Sequence, residues 1–385
     1  MKIAVLHRYP PRQVIGTNAS FVAFLEELSL RNHQVFYLTY KEKTSNNHKI
    51  PNLQFVYLPF HFNRGNYGDK VLKTYLWIIL APFYVLYLQC KYHLDLVYCD
   101  DSVPIYGFLS KLISPYSRVV IRMGDLQSAY TLADDHPKIF KITLAIETFM
   151  WKTVDGIIAI SLPFKKFIAS RGISTAKISV VEESLNLSVC NAEKSDYNKL
   201  KTVFLFNGSI EKCKGLLTLI DAFKLLREQY ENVCLIIAGG GSQEHLLMRY
   251  IQRKQLPNIS LTGWYDHQKL KKIMSRANVG VVMRSSNMAN NFVVTTCLLE
   301  NMGYRKPVIV PNLAAFRGVI TDKLNGLLFE AGNHQSLKDK MEEMHLNRTL
   351  WESLAEAGHK TVKEKYDHKK IAHLMANTLE EYAKK

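Results

Sequence analysis

Apolar and polar positions fall into alternating blocks along this chain. A short apolar run, Ile3-Ala4-Val5-Leu6, reads as a buried strand, and Pro10-Pro11 ends it. Phe21, Phe24, Leu25 and Leu28 then recur at helical spacing, and Val35-Phe36-Tyr37-Leu38 forms a second strand-like run. Strand, helix and strand in series predict a parallel pair joined by a right-handed crossover. The pattern continues with runs at 94–98, 119–122 and 156–160. No sustained apolar run follows between Asn186 and Lys201, and the polar stretch Asn191-Ala192-Glu193-Lys194-Ser195-Asp196 is the candidate linker. Beyond it the alternation restarts, with strands expected at 203–206, 233–237, 259–261, 279–283 and 308–310. Helices are expected between them at 216–227, from Gln243, at 270–277 and from about Thr295. The expectation is an α/β protein of two facing, Rossmann-like, doubly wound parallel-sheet domains, 1–190 and 191–366. Ligands of such sheets sit at the carboxyl ends of the strands, so the cleft between the halves is the expected site.

One segment breaks the amphipathic rule. Residues 75–88, Tyr-Leu-Trp-Ile-Ile-Leu-Ala-Pro-Phe-Tyr-Val-Leu-Tyr-Leu, are apolar nearly all round. The run is shorter than the ~20 residues a membrane-spanning helix needs, and Pro82 interrupts it. It reads as a buried or kinked helix of the first domain, with shallow insertion into a bilayer, aided by Lys70, Lys73 and Lys91, as the alternative.

Composition narrows the partners. Hydrophobic residues make up 47% of the 385 and charged residues 22%, enough for each half to bury a core. Lysine and arginine number 50 against 34 acids, a net charge of +16 that favours nucleic acid, an anionic membrane or phosphorylated substrates. Zinc-finger spacings and aromatic RNA-binding motifs are absent from the sequence, so no nucleic-acid partner is expected. The six cysteines are scattered without a Cys-x-x-Cys pair and read as reduced structural thiols. The apolar run at the start is too short for a signal peptide, so a cytoplasmic location is expected, including the inner face of the cell membrane.

Three segments of the second half carry candidate chemistry. Phe206-Asn207-Gly208-Ser209-Ile210-Glu211-Lys212-Cys213-Lys214-Gly215 joins a strand to a helix. Its glycines permit close backbone approach, the following helix start favours an anion, and Lys214 is within reach of a phosphate. Ile236-Ile237-Ala238-Gly239-Gly240-Gly241 is a strand running into a glycine turn against which a nucleotide can pack, or simply a tight turn. The third runs from Asn290 to Gly303. Its helix start at Val294, Thr295 and Thr296 offers free amides to a diphosphate, and the Glu300 carboxylate can accept two ribose hydroxyls.

In this order the segments resemble the retaining glycosyltransferases of family 4, which have the GT-B fold. The resemblance spans nearly the whole chain and is strongest at 202–330. It includes Gly16 before the first helix, Arg31-Asn32-His33-Gln34-Val35, Asp155-Gly156-Ile157-Ile158-Ala159-Ile160-Ser161, and Asn325-Gly326-Leu327-Leu328-Phe329. It implies that Lys214 neutralises the diphosphate of a UDP- or GDP-sugar donor and that Glu300 holds its ribose. Gly16, Gly208, Ser209, Gly240 and the 294–296 helix start would line the same donor. It also implies retention of configuration, no metal, no cofactor beyond the donor, and a last segment, 367–385, that crosses back to the first domain.

The departures are specific. Phe292 stands eight positions before Glu300, where the family has a second acid, and Ser209 stands where an arginine is common. The first-domain loop that usually carries a histidine reads Arg122-Met123-Gly124-Asp125, and Glu183-Ser184 replaces the usual Asn-Gly turn. Asn290, Asn291, Arg284 and Arg122 are the candidate substitutes, and Asp125 is the candidate contact to sugar or acceptor. The expected activity is transfer of a sugar to a hydroxyl acceptor, including lipid-linked ones, in glycolipid, lipid-linked oligosaccharide or surface polysaccharide synthesis. The alternatives are a degenerate partner subunit, motivated by Phe292 and Ser209, and phosphorolysis or epimerisation on the same fold.

Overall fold

A computed structural model describes residues 1–9, 17–41, 50–61, 67–100, 103–129, 136–190 and 201–384. Gly16 and the polar stretch at 191–196 lie outside these residues. The chain forms two compact units, Met1–Glu182 with His368–Lys385, and Glu183–Asp367.

The first unit is built on seven parallel strands: β1 (Lys2–Leu6), β2 (Gln34–Lys41), β3 (Leu53–His61), β4 (Leu96–Cys99), β5 (Arg118–Met123), β6 (Gly156–Ala159) and β7 (Ile178–Val180). Their order is β3-β2-β1-β4-β5-β6-β7, so the winding reverses between β1 and β4. One face is covered by α1 (Thr17–Leu30) and the C-terminal helix, whose Met375, Ala376 and Leu379 pack with Phe24, Leu25, Val5 and Tyr98. That terminal helix, His368–Lys384, is fixed near its C-terminal end. Glu380 pairs with Arg31 at 3.2 Å and His33 at 2.8 Å. Tyr382 donates to the Lys177 carbonyl at 2.9 Å. Its ring lies on Gly156, where an added Cβ would come within 2.5 Å of it.

The opposite face is covered by α2 (Tyr67–Tyr92), α3 (Ile105–Ile113) and α4 (Pro137–Thr153). The 75–88 run is thus the centre of a longer helix that contains Pro82. Trp77, Ala81, Val85 and Leu88 form its buried side, at spacings of four, four and three residues. Trp77 meets Tyr40 of β2 and Tyr106 of α3, with ring centroids 5.2 and 6.4 Å apart. Among the described residues no helix is long and apolar enough to cross a membrane. Between α4 and β7, α5 (Leu162–Ser170) starts on Ser161, whose hydroxyl accepts from the Phe164 amide.

The second unit repeats the plan with six parallel strands. These are β8 (Thr202–Asn207), β9 (Val233–Ala238), β10 (Ile259–Leu261), β11 (Val279–Val281), β12 (Val308–Pro311) and β13 (Leu327–Phe329), in the order β10-β9-β8-β11-β12-β13. The connections carry α6 (Leu216–Gln229), α7 (Glu244–Arg253), α8 (His267–Arg276), α9 (Thr296–Gly303) and the short α10 (Ala314–Arg317). Helices α11 (His334–Leu346) and α12 (Thr349–Lys365) complete the unit, and the terminal helix of the first unit is α13. Strands buried on both faces explain the unbroken apolar runs Val-Phe-Leu-Phe and Leu-Ile-Ile-Ala.

Candidate functional site

In the second unit, the winding reverses between β8 and β11, and the connections leaving these two strands hold the polar residues. Asn207, the last residue of β8, is 1% exposed and donates from Nδ2 to Glu300 Oε2 at 2.9 Å. Asn301 Nδ2 donates to Asn207 Oδ1 at 2.7 Å and to the Cys297 carbonyl at the same distance. Gly280 of β11 makes room for this: an added Cβ would lie 2.4 Å from Asn301 Oδ1. Burial pushes the Glu300 carboxyl up to about 7, and the Asn207 bond opposes that shift.

Lys214 sits in a one-turn 3-10 segment, Lys212–Lys214, that ends on Gly215 at φ +65°. The turn is clamped from the β11 side. The Cys213 carbonyl accepts from the Ser285 amide at 3.0 Å, the Ser285 hydroxyl at 2.9 Å and Asn290 Nδ2 at 3.1 Å. Asn290 Nδ2 also donates to the Ser285 carbonyl at 2.8 Å, and Arg284 Nη1 donates to Asn290 Oδ1 at 3.0 Å. Asn291 Oδ1 accepts from the Ala314 amide at 3.1 Å. Arg284, Asn290 and Asn291, the expected substitutes for an acid at 292, are therefore engaged in holding the loop. Phe292 itself is buried at 7% exposure.

The glycine turns pack closely on one another. An added Cβ at Gly239 would lie 1.8 Å from the Gly208 carbonyl oxygen, and one at Gly241 would lie 2.5 Å from that of Ile210. The triple glycine lets the β9 connection pack directly on the β8 connection. Gly240 faces Trp264, whose Nε1 would be 2.7 Å from an added Cβ. Gly208, at φ +146°, and half-buried Ser209 follow Asn207 immediately. At the start of α9, Val294 and Thr295 are buried and Thr296 is half-buried. Thr295 is the N-cap and makes no side-chain capping bond, so the first amides of the helix precede its hydrogen-bonded ladder.

The first unit has its own polar group at the corresponding strand ends. Asp125 lies two residues beyond β5 and is half-buried. Arg122 pairs with Asp100 at 3.5 Å, and the Tyr98 hydroxyl donates to Asp100 Oδ1 at 3.2 Å. His7, next after β1, places Nδ1 2.7 Å from the Tyr9 carbonyl and 3.0 Å from the Tyr37 hydroxyl. A carbonyl oxygen only accepts, so Nδ1 carries the proton of neutral His7 and Nε2 keeps the lone pair. His7 and Asp100 were not among the sequence candidates; each directly follows a strand run, which is the signal that marks them. Among the described residues no group of three or more His, Cys, Asp and Glu could hold a metal ion.

Comparison with known proteins agrees with this architecture. Residues 191–361 match the model of the family "Glycosyl transferases group 1". The chain is 29% identical over 179 residues to the phosphatidyl-myo-inositol mannosyltransferase of Mycobacterium leprae, covering 45% of this chain and 44% of that one. The chain spans about half the length of the first curated relatives it matches. Sucrose-phosphate synthase from Thermosynechococcus elongatus superposes with a TM-score of 0.78 at 17% identity, over 99% of this chain and 98% of the other. Anabaena HepE, solved with UDP and glucose, superposes with a TM-score of 0.74 at 15% identity, over 99% and 100%. The fold of the chain is GT-B. Through residues 191–361 it is similar to the glycosyl transferases group 1 family.

Proposed function

We propose that this protein is a retaining, metal-independent glycosyltransferase that moves a sugar from a nucleotide-diphosphate sugar to a hydroxyl acceptor. The observation that carries the reading is the buried Asn207–Glu300 pair on the connections that also hold Lys214 and the start of α9. A carboxylate fixed in that way accepts the two hydroxyls of a ribose. The Lys214 ammonium and the amides at 295–296 then face the diphosphate. As the bond from the sugar C1 to the phosphate oxygen breaks, both electrons stay on the phosphate, and these groups stabilise the charge that develops there. The acceptor oxygen forms the new bond to C1 and its proton passes to the departing phosphate. The donor is a UDP- or GDP-sugar; HepE, of the same fold, was solved with UDP. Gly208, Ser209, Gly240 and Gly16 belong to the donor side of this reading, and Asp125, with His7 and Asp100, to the acceptor side.

A lipid-linked acceptor is part of the proposal. The relative from Mycobacterium leprae is named for mannosyl transfer to a phosphatidylinositol. Work on such an acceptor places the protein in the cytoplasm, on the inner face of the membrane, in glycolipid, lipid-linked oligosaccharide or surface polysaccharide synthesis. A second reading, a degenerate partner of an active transferase, is favoured by one observation: Phe292 is buried where the family has an acid. Calorimetry with uridine and guanosine diphosphates, followed by a panel of nucleotide sugars scored by thermal stabilisation, separates the two. Binding that Glu300→Ala weakens supports the transferase, and failure of both nucleotides to bind supports the partner.

A further inference from the structure

The helical layer formed by α2, α3 and α4 has a second apolar side. On α2, Leu72, Tyr75, Ile79, Phe83 and Tyr87 are exposed, with Tyr75 at 62% and Phe83 at 57%. Their spacing of three and four residues makes one continuous stripe, directly opposite the buried Trp77, Ala81, Val85 and Leu88. On α4, Ile139, Ile142, Ile146 and Phe149 make a second stripe, with Ile142 at 61%. Helix α3 lies between and joins them: Phe108 meets Phe149 with ring centroids 5.6 Å apart, and Trp77 meets Tyr106. Leu112, in the last turn of α3, and Tyr116, just beyond that helix, are exposed as well. Scattered exposed apolar side chains need no explanation, but aligned stripes on two helices bridged by a third mark an interaction surface.

Charge selects the occupant. The three helices carry seven lysines, no arginine and two acids, Asp69 and Glu147. Glu147 is buried, its Oε2 accepting from the Ser128 amide at 3.2 Å, so it adds no negative charge to the outer face. Lys91, Lys138, Lys141 and Lys152 are exposed. Two copies of such a face would bring like charges together, and an acidic protein partner would leave the long apolar stripes to be matched one by one. An anionic bilayer satisfies both: acyl chains take the apolar side chains of helices lying in the interface, and headgroups take the lysines. We propose that the outer face of α2, α3 and α4 is a monotopic docking surface for anionic lipid, on which this unit lies without spanning the membrane. The surface is independent of the donor chemistry, and its loss would leave nucleotide binding in the second unit intact.

Flotation of the full chain with vesicles tests this. The protein is expected to rise with phosphatidylglycerol–phosphatidylcholine vesicles, several-fold less with phosphatidylcholine alone, and less again as salt screens the lysines. Ile79→Glu with Phe83→Glu, and separately Ile142→Glu with Phe149→Glu, should abolish most of the flotation. Lys138→Glu with Lys141→Glu, which removes no apolar contact, should remove the preference for anionic vesicles. Melting temperature and nucleotide-diphosphate affinity should stay near wild type in every variant, since all six side chains face solvent. A full chain that stays at the bottom of the gradient with anionic vesicles at low salt overturns the proposal. A dimer in light scattering that the same glutamates dissociate, with no vesicle binding, overturns it in favour of a second copy.

Discussion

Glu300 accepts a hydrogen bond from Asn207 at 2.9 Å while both side chains are buried, so the carboxylate is oriented at the price of being desolvated. Its pKa, pushed up to about 7 from an ordinary 4.5, gives the sign of a pH effect. Between those values the folded chain holds a proton that the unfolded chain has lost, so stability falls as pH rises through this window and levels off above it. The loss is on the order of 3 kcal/mol at most. Glu300→Gln, which never ionises, should therefore melt higher than wild type at pH 8 and close to it at pH 5. Nucleotide affinity should move the other way, rising in wild type through pH 7 as the acceptor carboxylate forms and staying low in the variant. Paired melting curves and calorimetry across the same pH values check both signs. A melting difference independent of pH would remove Glu300 titration from the account.

Lys214→Met keeps the aliphatic stem and removes the ammonium. Loss of one positioned charge at a preorganised site typically reduces turnover ~100-fold or more. Turnover with the nucleotide sugar identified by the stabilisation panel, measured beside the melting temperature, is the check. Wild-type turnover in Lys214→Met would mean that the diphosphate lies elsewhere.

Asn290 connects that lysine to the β11 side. Its Nδ2 bridges the Cys213 and Ser285 carbonyls, and it is 2% exposed. Asn290→Ala removes the donor to the Ser285 carbonyl and one of three donors to the Cys213 carbonyl, at a cost of about 1–3 kcal/mol. Because the freed turn carries Lys214, nucleotide-diphosphate affinity should fall along with the melting temperature. A fall in stability alone would show that the clamp does not position Lys214.

The strands were legible because parallel strands buried on both faces read as unbroken apolar runs, and the βα order followed from them. β3 was not read: Leu53–His61 contains Pro59, which a central strand excludes but an edge strand tolerates. Glu300 stood out as an acid on a helix between two buried strands, whereas its partner Asn207 did not, since an asparagine before glycine reads as turn chemistry. The glycines at 239–241 were visible as positions without a Cβ. Only the packing shows that the Gly208 and Ile210 carbonyls fill the space at two of them. On α2 the sequence offered apolar residues on every side and no means of choosing which side the sheet takes.

Phe292→Glu tests whether this position accepts the second acid of the glycosyltransferases that the chain resembles. Phe292 is buried at 7% exposure, and Arg284 and Asn290 nearby already bond to each other and to the Lys214 turn. A carboxylate placed there has to be desolvated, so the variant should lose ~3 kcal/mol or more. At roughly 2–4 °C per kcal/mol for a unit of this size, the melting temperature should fall by about 6 °C or more. A variant that melts as wild type and gains donor turnover would instead show that the site still accommodates an acid.

Gly280→Ala probes the support under the Asn207–Glu300 pair without touching either residue. The new Cβ would lie 2.4 Å from Asn301 Oδ1 and 2.6 Å from its Cγ, and Asn301 is fully buried, so its amide has to move. Overpacking of this kind costs about 1–3 kcal/mol. Displacement of Asn301 withdraws the donor to Asn207 Oδ1 at 2.7 Å, which frees Asn207 to rotate away from Glu300. Nucleotide affinity should therefore drop several-fold together with stability. Asn301→Ala should reproduce the affinity loss by removing the same donor. The double variant should lose less than the sum of the two, because the clash and the missing bond act through one side chain. Additive losses would mean that Gly280 and Asn301 act on the site separately.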